Sequence, residues 1–115
     1  MFAAPHGAVC AALLPAVLRV NARALAARAP DSSARARCRE LATLLTGRAD
    51  ASIDEGVDWI ARLCRTLEVP GLSRYGMTAA RIPELVTKAR AASSMKGNPI
   101  ALSDDELTEI ARASL

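Results

Sequence analysis

The segment Ser52–Leu67, SIDEGVDWIARLCRTL, has the clearest helix signal in the sequence. Ser52, followed three residues later by Glu55, forms a capping box, in which each side chain accepts a hydrogen bond from the other residue's backbone N–H. Apolar side chains then recur every three or four residues, at Ile53, Val57, Ile60, Ala61, Cys64 and Leu67. Because this spacing places them on one side of a helix, the segment predicts an amphipathic helix with one buried face.

The same kind of pattern predicts four more helices. They cover about residues 5–29, 33–45 and 83–93 and the segment from Ser103 onward. Gly47 is expected to end the second helix, and a capping box formed by Ser103 and Glu106 opens the last one. No strand is convincing and the connecting segments are short. The sequence therefore predicts an all-α fold, a mostly antiparallel bundle of about five helices, in a single domain over residues 1–115.

The first predicted helix is apolar around much of its circumference, so we expect it to be central in the bundle. Pro5 suits its first turn, where a missing backbone N–H costs nothing. Pro15 lies inside it and predicts a kink or a local adjustment, because proline cannot donate to the helix hydrogen bonds. Its main apolar stripe consists of Val9, Leu13, Val17, Val20 and Ala24.

Composition limits what the chain can bind. Hydrophobic residues make up 51% of the 115 residues, but much of that is alanine, with one Phe, one Trp and one Tyr. Such a core buries little apolar area for an independent domain, which favours a surface that a partner covers. The net charge is +3, and the arginines are spread singly along the helices with no aromatic residues between them. This pattern favours solvated helix faces and predicts no nucleic-acid binding.

The cysteines and the N-terminal segment bear on location. Cys10, Cys38 and Cys64 are odd in number and widely spaced, with no C-x-x-C motif, which favours reduced thiols in a cytoplasmic protein. The apolar run near the N-terminus is preceded by no positive charge and is interrupted by Pro15. It is also shorter than a bilayer span, so we expect neither a targeting peptide nor a membrane segment.

Motifs of common active sites are missing from the sequence, and carboxylates cluster at helix starts, where they complement the helix dipole. We therefore assign no catalytic residue. His6 is the only histidine, and Cys10 follows it by four residues, so the two side chains share a helix face and could both ligate a metal. Two ligands alone do not hold a catalytic metal. On spacing alone, a surface or capping histidine is the favoured interpretation of His6.

Three stretches of sequence resemble parts of the C-terminal domain of iron-dependent alcohol dehydrogenases. We call them the histidine motif (Pro5–Asn21, PHGAVCAALLPAVLRVN), the loop motif (Leu67–Met77, LEVPGLSRYGM) and the tail motif (Ser94–Leu115). The resemblance is closest to the branch that contains maleylacetate reductases. It spans nearly the whole chain and explains a proline inside a helix. The residues that match in the histidine motif are Pro5, His6, Gly7, Leu14, Pro15 and Asn21.

The resemblance implies a role for His6 as one of four protein ligands of a divalent metal, Fe(II) or Zn(II). In that family the metal acts as a Lewis acid on the substrate oxygen, and a nicotinamide cofactor, NAD(P), bound by an N-terminal domain, accepts a hydride. The other ligands, an aspartate and two histidines, lie upstream in the family, and this sequence has neither those histidines nor a glycine-rich phosphate loop. We therefore assign no cofactor-binding residue here and expect the nucleotide-binding domain to be absent.

Two interpretations follow from the resemblance. In the first, the chain is part of a dehydroquinate synthase-like C-terminal domain, is inactive by itself, and supplies one metal ligand and one wall of the substrate cleft. Its partner is then the missing N-terminal domain. In the second, the chain is a non-catalytic helical module or remnant that has kept the fold and self-associates.

Overall fold

A computed structural model describes residues 6–91 and 97–115 of the chain. Within those residues every regular element is helical, which confirms the all-α prediction. The fourth helix was expected to end near Ser93, and that end, like Pro5, lies outside the described residues. The α-helices are α1 (His6–Arg28), α2 (Ser33–Thr46), α3 (Ile53–Thr66), α4 (Ile82–Ala91) and α5 (Asp104–Ala113), with short 3-10 helices at Leu72–Tyr75 and Ala79–Arg81.

Both predicted capping boxes are present. The Ser52 hydroxyl accepts a hydrogen bond from the Glu55 N–H at 3.1 Å, and the Glu55 carboxylate accepts one from the Ser52 N–H at 3.1 Å. Ser103 and Glu106 make the same pair of bonds at 3.1 and 2.9 Å. Each box satisfies backbone donors that have no partner within the helix, and so places the first residue of α3 and of α5.

The remaining helix ends follow the predictions with one exception. Ser32 caps α2 by accepting from the Ala34 N–H at 3.2 Å. Gly47 ends α2 with a φ of +75°, a left-handed conformation that glycine adopts without steric cost. Thr78 precedes a short turn, and a threonine at that place in the sequence predicts a cap for it. The residue does stand at the N-cap of the second 3-10 helix, but its side chain makes no capping hydrogen bond, so this prediction is wrong.

The helices pack in antiparallel pairs. Arg19 of α1 forms an ion pair with Asp58 of α3 at 2.8 Å, while Ala11, earlier in α1, meets Cys64, later in α3. Because the order of the contacts reverses between the two helices, α1 and α3 run in opposite directions. The same reasoning applies to α1 and α5, where Arg23 pairs with Glu109 and Arg28 pairs with Glu106.

The core lies around the C-terminal half of α1, the segment after α3, and the packed pair α4 and α5. Leu25 of α1 is completely buried, and Ile82 of α4 packs with Leu107 and Ala111 of α5. The apolar positions of the last helix in the sequence, Leu107 and Ile110, face inward, since both are more than nine-tenths buried. The most deeply buried large side chains are Leu25, Leu72, Met77 and Ile82.

The N-terminal half of α1 is less covered than its composition predicts. Val20, Ala24 and Leu25 are buried, but Cys10 is exposed and Leu14 is 41% exposed. The helix continues through Pro15 without interruption. Thus α1 contacts α2, α3 and α5 as a central helix should, yet its buried residues all lie in its second half, between Val20 and Leu25.

Length and composition alone would let α1 cross a membrane. The mean hydropathy reaches 1.5 over a window of 18 residues, of which 22% are buried. Core helices of globular proteins and signal sequences can be just as long and apolar.

Candidate metal centre

The imidazole of His6 lies at the first residue of α1, on the exposed side of the molecule. Its Nε2 atom is 3.5 Å from the Sγ atom of Cys10, one helical turn further along. Gly7, between them, has no heavy atom within 4 Å of the position that a Cβ would occupy. The two donor atoms are therefore close together and accessible, as the four-residue spacing predicted.

A complete metal site does not form from the described residues. In residues 6–91 and 97–115, no three side chains of His, Cys, Asp or Glu come close enough together to hold a metal ion. A catalytic metal needs about three protein ligands and an open position. The described residues thus do not fit a whole site, and at most His6 and Cys10 contribute to one. All three cysteines are free thiols.

Asn21 links the histidine motif to the tail motif. It is 6% exposed, and its side-chain amide donates to the Asn98 carbonyl at 3.0 Å and accepts from the Asn98 amide at 2.8 Å. Asn98 also donates to the Ile100 carbonyl at 2.6 Å. This paired arrangement satisfies both side-chain amides where solvent is largely excluded. Asn21 belongs to the histidine motif and Asn98 to the tail motif, but 77 residues separate them and nothing local indicates that they meet.

The loop motif also packs against the tail motif. The Leu72 N–H donates to the Ser114 carbonyl at 2.8 Å, and the Ser73 hydroxyl donates to the Leu115 oxygen at 2.7 Å. At Gly71 a Cβ atom would overlap the backbone of Leu115, so only glycine allows the two segments to approach this closely. The tail motif therefore contacts both the histidine motif and the loop motif, the other two stretches that carry the family resemblance.

Two arginines of α1 hold it against α5. Arg23 makes a bidentate ion pair with Glu109 at 2.8 and 2.6 Å. Arg28 does the same with Glu106 at 3.1 and 3.0 Å and also donates to the Ala101 carbonyl at 2.8 Å. These bonds set the direction of α1, at whose other end, roughly 33 Å away by helix rise, His6 stands.

The ion pairs shift the pKa values of Glu106, Glu109 and Arg23. The hydrogen bond from Arg28, followed by that from the Ser103 backbone, lowers the pKa of the Glu106 carboxyl below its usual value. The hydrogen bond from Arg23 lowers the pKa of Glu109 in the same way, and that bond raises the pKa of Arg23. Because their pKa values are lowered, Glu106 and Glu109 are ionised at neutral pH and can hold the arginines of α1 there.

A family model of the C-terminal region of Fe-containing alcohol dehydrogenases matches residues 1–115 of the chain. The chain belongs to the Fe-containing alcohol dehydrogenase family. The resemblance in the sequence and the all-α fold expected from it are thus confirmed. The maleylacetate reductase branch stays a prediction. Searches of curated proteins and of solved structures returned no match.

Membership in the Fe-containing alcohol dehydrogenase family agrees with iron as the metal of the full-length proteins. The role of His6 as a ligand stays a prediction, as do zinc, NAD(P) and the cytoplasmic location. The structure adds two features that the sequence interpretation missed. One is the Asn21–Asn98 pair, and the other is a cleft between α1, α2 and the start of α3 that is lined by arginines. The sequence signal for the second is the four-residue spacing within Arg19/Arg23 and Arg35/Arg39, a spacing that solvated helix faces also show.

Proposed function

We propose that this chain supplies the metal-binding, substrate-side portion of an NAD(P)-linked, iron-dependent alcohol dehydrogenase. The observation that supports this most is the position of His6, exposed at the start of α1 in a domain that belongs to the family. A neutral imidazole is a suitable ligand for Fe(II) or Zn(II), and its place on a helix fixes its direction. The other ligands and the nucleotide-binding residues then come from outside the described residues.

The first test is metal binding by the purified chain. Because two donor atoms give only weak coordination, we expect Fe(II) and Zn(II) to be lost on dialysis and the affinity to change no more than a few-fold in His6→Ala. We also expect no metal-dependent reduction of NAD(P)⁺ with alcohols. Cys38→Ser, which removes a thiol on α2 away from His6, serves as the control.

Two results would contradict this proposal. One is tight, stoichiometric metal binding that is lost in His6→Ala and kept in Cys38→Ser, since the chain would then complete a site itself. The other is alcohol oxidation by the pure chain. Titration calorimetry and metal analysis distinguish the first result, and the absorbance of the reduced nicotinamide distinguishes the second.

A second candidate function, self-association as a helical module, is favoured by the exposed surface. The chain exposes 7080 Å², whereas a self-contained monomer of this mass exposes about 6,000 Å². Large apolar side chains contribute to that surface, and they lie on three different helices or at their ends. They are Leu14, Leu41, Leu44, Leu63 and Leu67.

Sedimentation velocity over a range of concentrations tests self-association. Leu14 and Leu63 lie within a turn of the contact between Ala11 and Cys64, so their exposed parts belong to the same pair of helices. We expect a concentration-dependent dimer that Leu14→Gln/Leu63→Gln converts to monomer. Leu44→Gln, on α2, should leave the dimer intact. A wild-type chain that stays monomeric at the highest concentration would exclude this function.

A further inference from the structure

A cleft lies between α1, α2 and the start of α3, away from the end of α1 that carries His6. Its volume is about 540 Å³, within the range of about 300–1,000 Å³ that is usual for small-molecule sites. Two arginines of α1 and two of α2 line it: Arg19, Arg23, Arg35 and Arg39. We call it the arginine cleft. Since each pair is spaced by four residues, each helix presents two guanidinium groups on one face.

The two arginines of α1 are already engaged at the edge of the arginine cleft. Arg19 is paired with Asp58 at 2.8 Å and Arg23 with Glu109 at 2.6 Å. Both side chains are about half exposed, so these pairs hold the guanidinium groups in position without removing them from solvent. Exposed ion pairs of this kind are weak, and their arginines retain donors for a further anion.

Among the described residues, the two arginines of α2 have fewer hydrogen-bond and ion-pair partners than the two of α1. Arg35 donates through Nη1 to the Pro30 carbonyl at 3.2 Å, but its Nε is buried and has no hydrogen-bond partner among the described residues. Arg39 is exposed and forms none of the ion pairs found within residues 6–91 and 97–115. A buried donor without a partner is unfavourable, and a modest rotation of Arg35 toward an anion in the cleft would relieve it.

The start of α3 forms the third wall of the arginine cleft, where Ser52, Ile53 and Asp54 line it. Its Glu55 N–H is already bonded to the Ser52 hydroxyl in the capping box, and Asp54 adds one negative charge to the lining. Asp58 and Glu109 are paired with the α1 arginines at the edge of the cleft, so the four guanidinium groups and three carboxylates sum to a charge of +1. This excess lies with the α2 arginines and favours an anionic ligand.

We infer that the arginine cleft binds a small phosphate-type polyanion, with one anionic group facing each pair of arginines. Guanidinium groups donate two parallel hydrogen bonds to phosphate oxygens, and such charge-assisted bonds are about twice as strong as neutral ones. Two guanidinium-bearing walls suit a ligand with two charged groups, such as a diphosphate, better than a single monovalent anion. This site is separate from His6 and does not depend on the proposed function.

Calorimetric titration of the full chain with inorganic pyrophosphate tests this inference. We expect a dissociation constant below about 1 mM at low salt, weaker binding as NaCl is raised, and a rise in the melting temperature with ligand. Arg39→Gln should weaken binding about tenfold, which corresponds to about 1.4 kcal/mol. Arg35→Gln should weaken it by a similar factor.

The matched control is Arg37→Gln, which removes the same charge from the same helix. Arg37 is exposed, donates to Ser33 at 3.4 Å and does not line the cleft, so its loss should change the affinity less than about twofold. Equal losses in Arg37→Gln and Arg39→Gln would overturn the inference, because the binding would then reflect net charge alone. Absence of pyrophosphate binding, or equally tight binding of monovalent acetate, would overturn it as well.

Discussion

We expect Leu25→Ala to lower the free energy of unfolding by about 3 kcal/mol, within the range of about 2–5 kcal/mol for leucine-to-alanine changes in cores. Leu25 has no exposed surface and lies in the half of α1 that contains all its buried residues. Alanine keeps the helix propensity, so the loss comes from the removed methyl groups and the cavity that remains. For a domain of this size, 3 kcal/mol is a large share of the total stability.

Urea denaturation followed by far-UV circular dichroism measures this loss. The matched control is Leu44→Ala on α2, where the leucine is 80% exposed and its truncation should change stability by less than about 0.5 kcal/mol. If both variants lost the same amount, Leu25 would not be the central core residue that the structure places there. His6 lies on the same helix as Leu25. The burial of Leu25 therefore helps to hold in place the helix that positions this proposed metal ligand.

Gly56→Ala should destabilise the chain by about 2 kcal/mol, although alanine is the better helix former. The Cβ that alanine adds in α3 would lie 2.7 Å from the Cβ and 2.9 Å from the Cα of Ala42 in α2. Real Cβ atoms do not approach other carbons this closely, so α2 and α3 must move apart. Overpacking of this kind costs about 1–3 kcal/mol, and a backbone atom cannot rotate away as a side chain can.

Gly7→Ala is the control for this prediction. It makes the same substitution in α1, where the new Cβ meets nothing within 4 Å, and it should stabilise the chain by up to about 1 kcal/mol. Opposite signs for the two substitutions, measured in the same urea titration, would confirm that Gly56 is required for the close contact of α2 and α3. Stabilisation by both would show that this contact is looser than in the structure.

Helix positions were predictable because their signals are local. The capping boxes at Ser52 and Ser103 and the glycine at position 47 act within one turn of backbone, and the structure places helix ends within about two residues of the expected ones. Thr78 shows the limit of this reasoning. A threonine before a helix is a good capping residue in general, but whether its hydroxyl reaches the backbone depends on a rotamer that its surroundings select.

The candidate metal centre was predictable only in part. The four-residue spacing of His6 and Cys10 places their side chains next to each other on one helix face, and their rotamers then bring Nε2 and Sγ to 3.5 Å. Whether a third donor joins them depends on long-range packing, and among the described residues none does. The role of His6 as a ligand therefore rests on the family and not on the local geometry.

The sequence by itself determined the all-α class, the order and ends of the helices, and the resemblance to iron-dependent alcohol dehydrogenases, since each depends on short-range patterns or on motifs. Only the tertiary structure decided which half of α1 is buried, that Asn21 pairs with Asn98, and that four arginines from two helices line one cleft. These features join residues far apart in the chain. Their proximity depends on how the helices pack, and helical periodicity specifies which face is apolar but not which neighbour covers it.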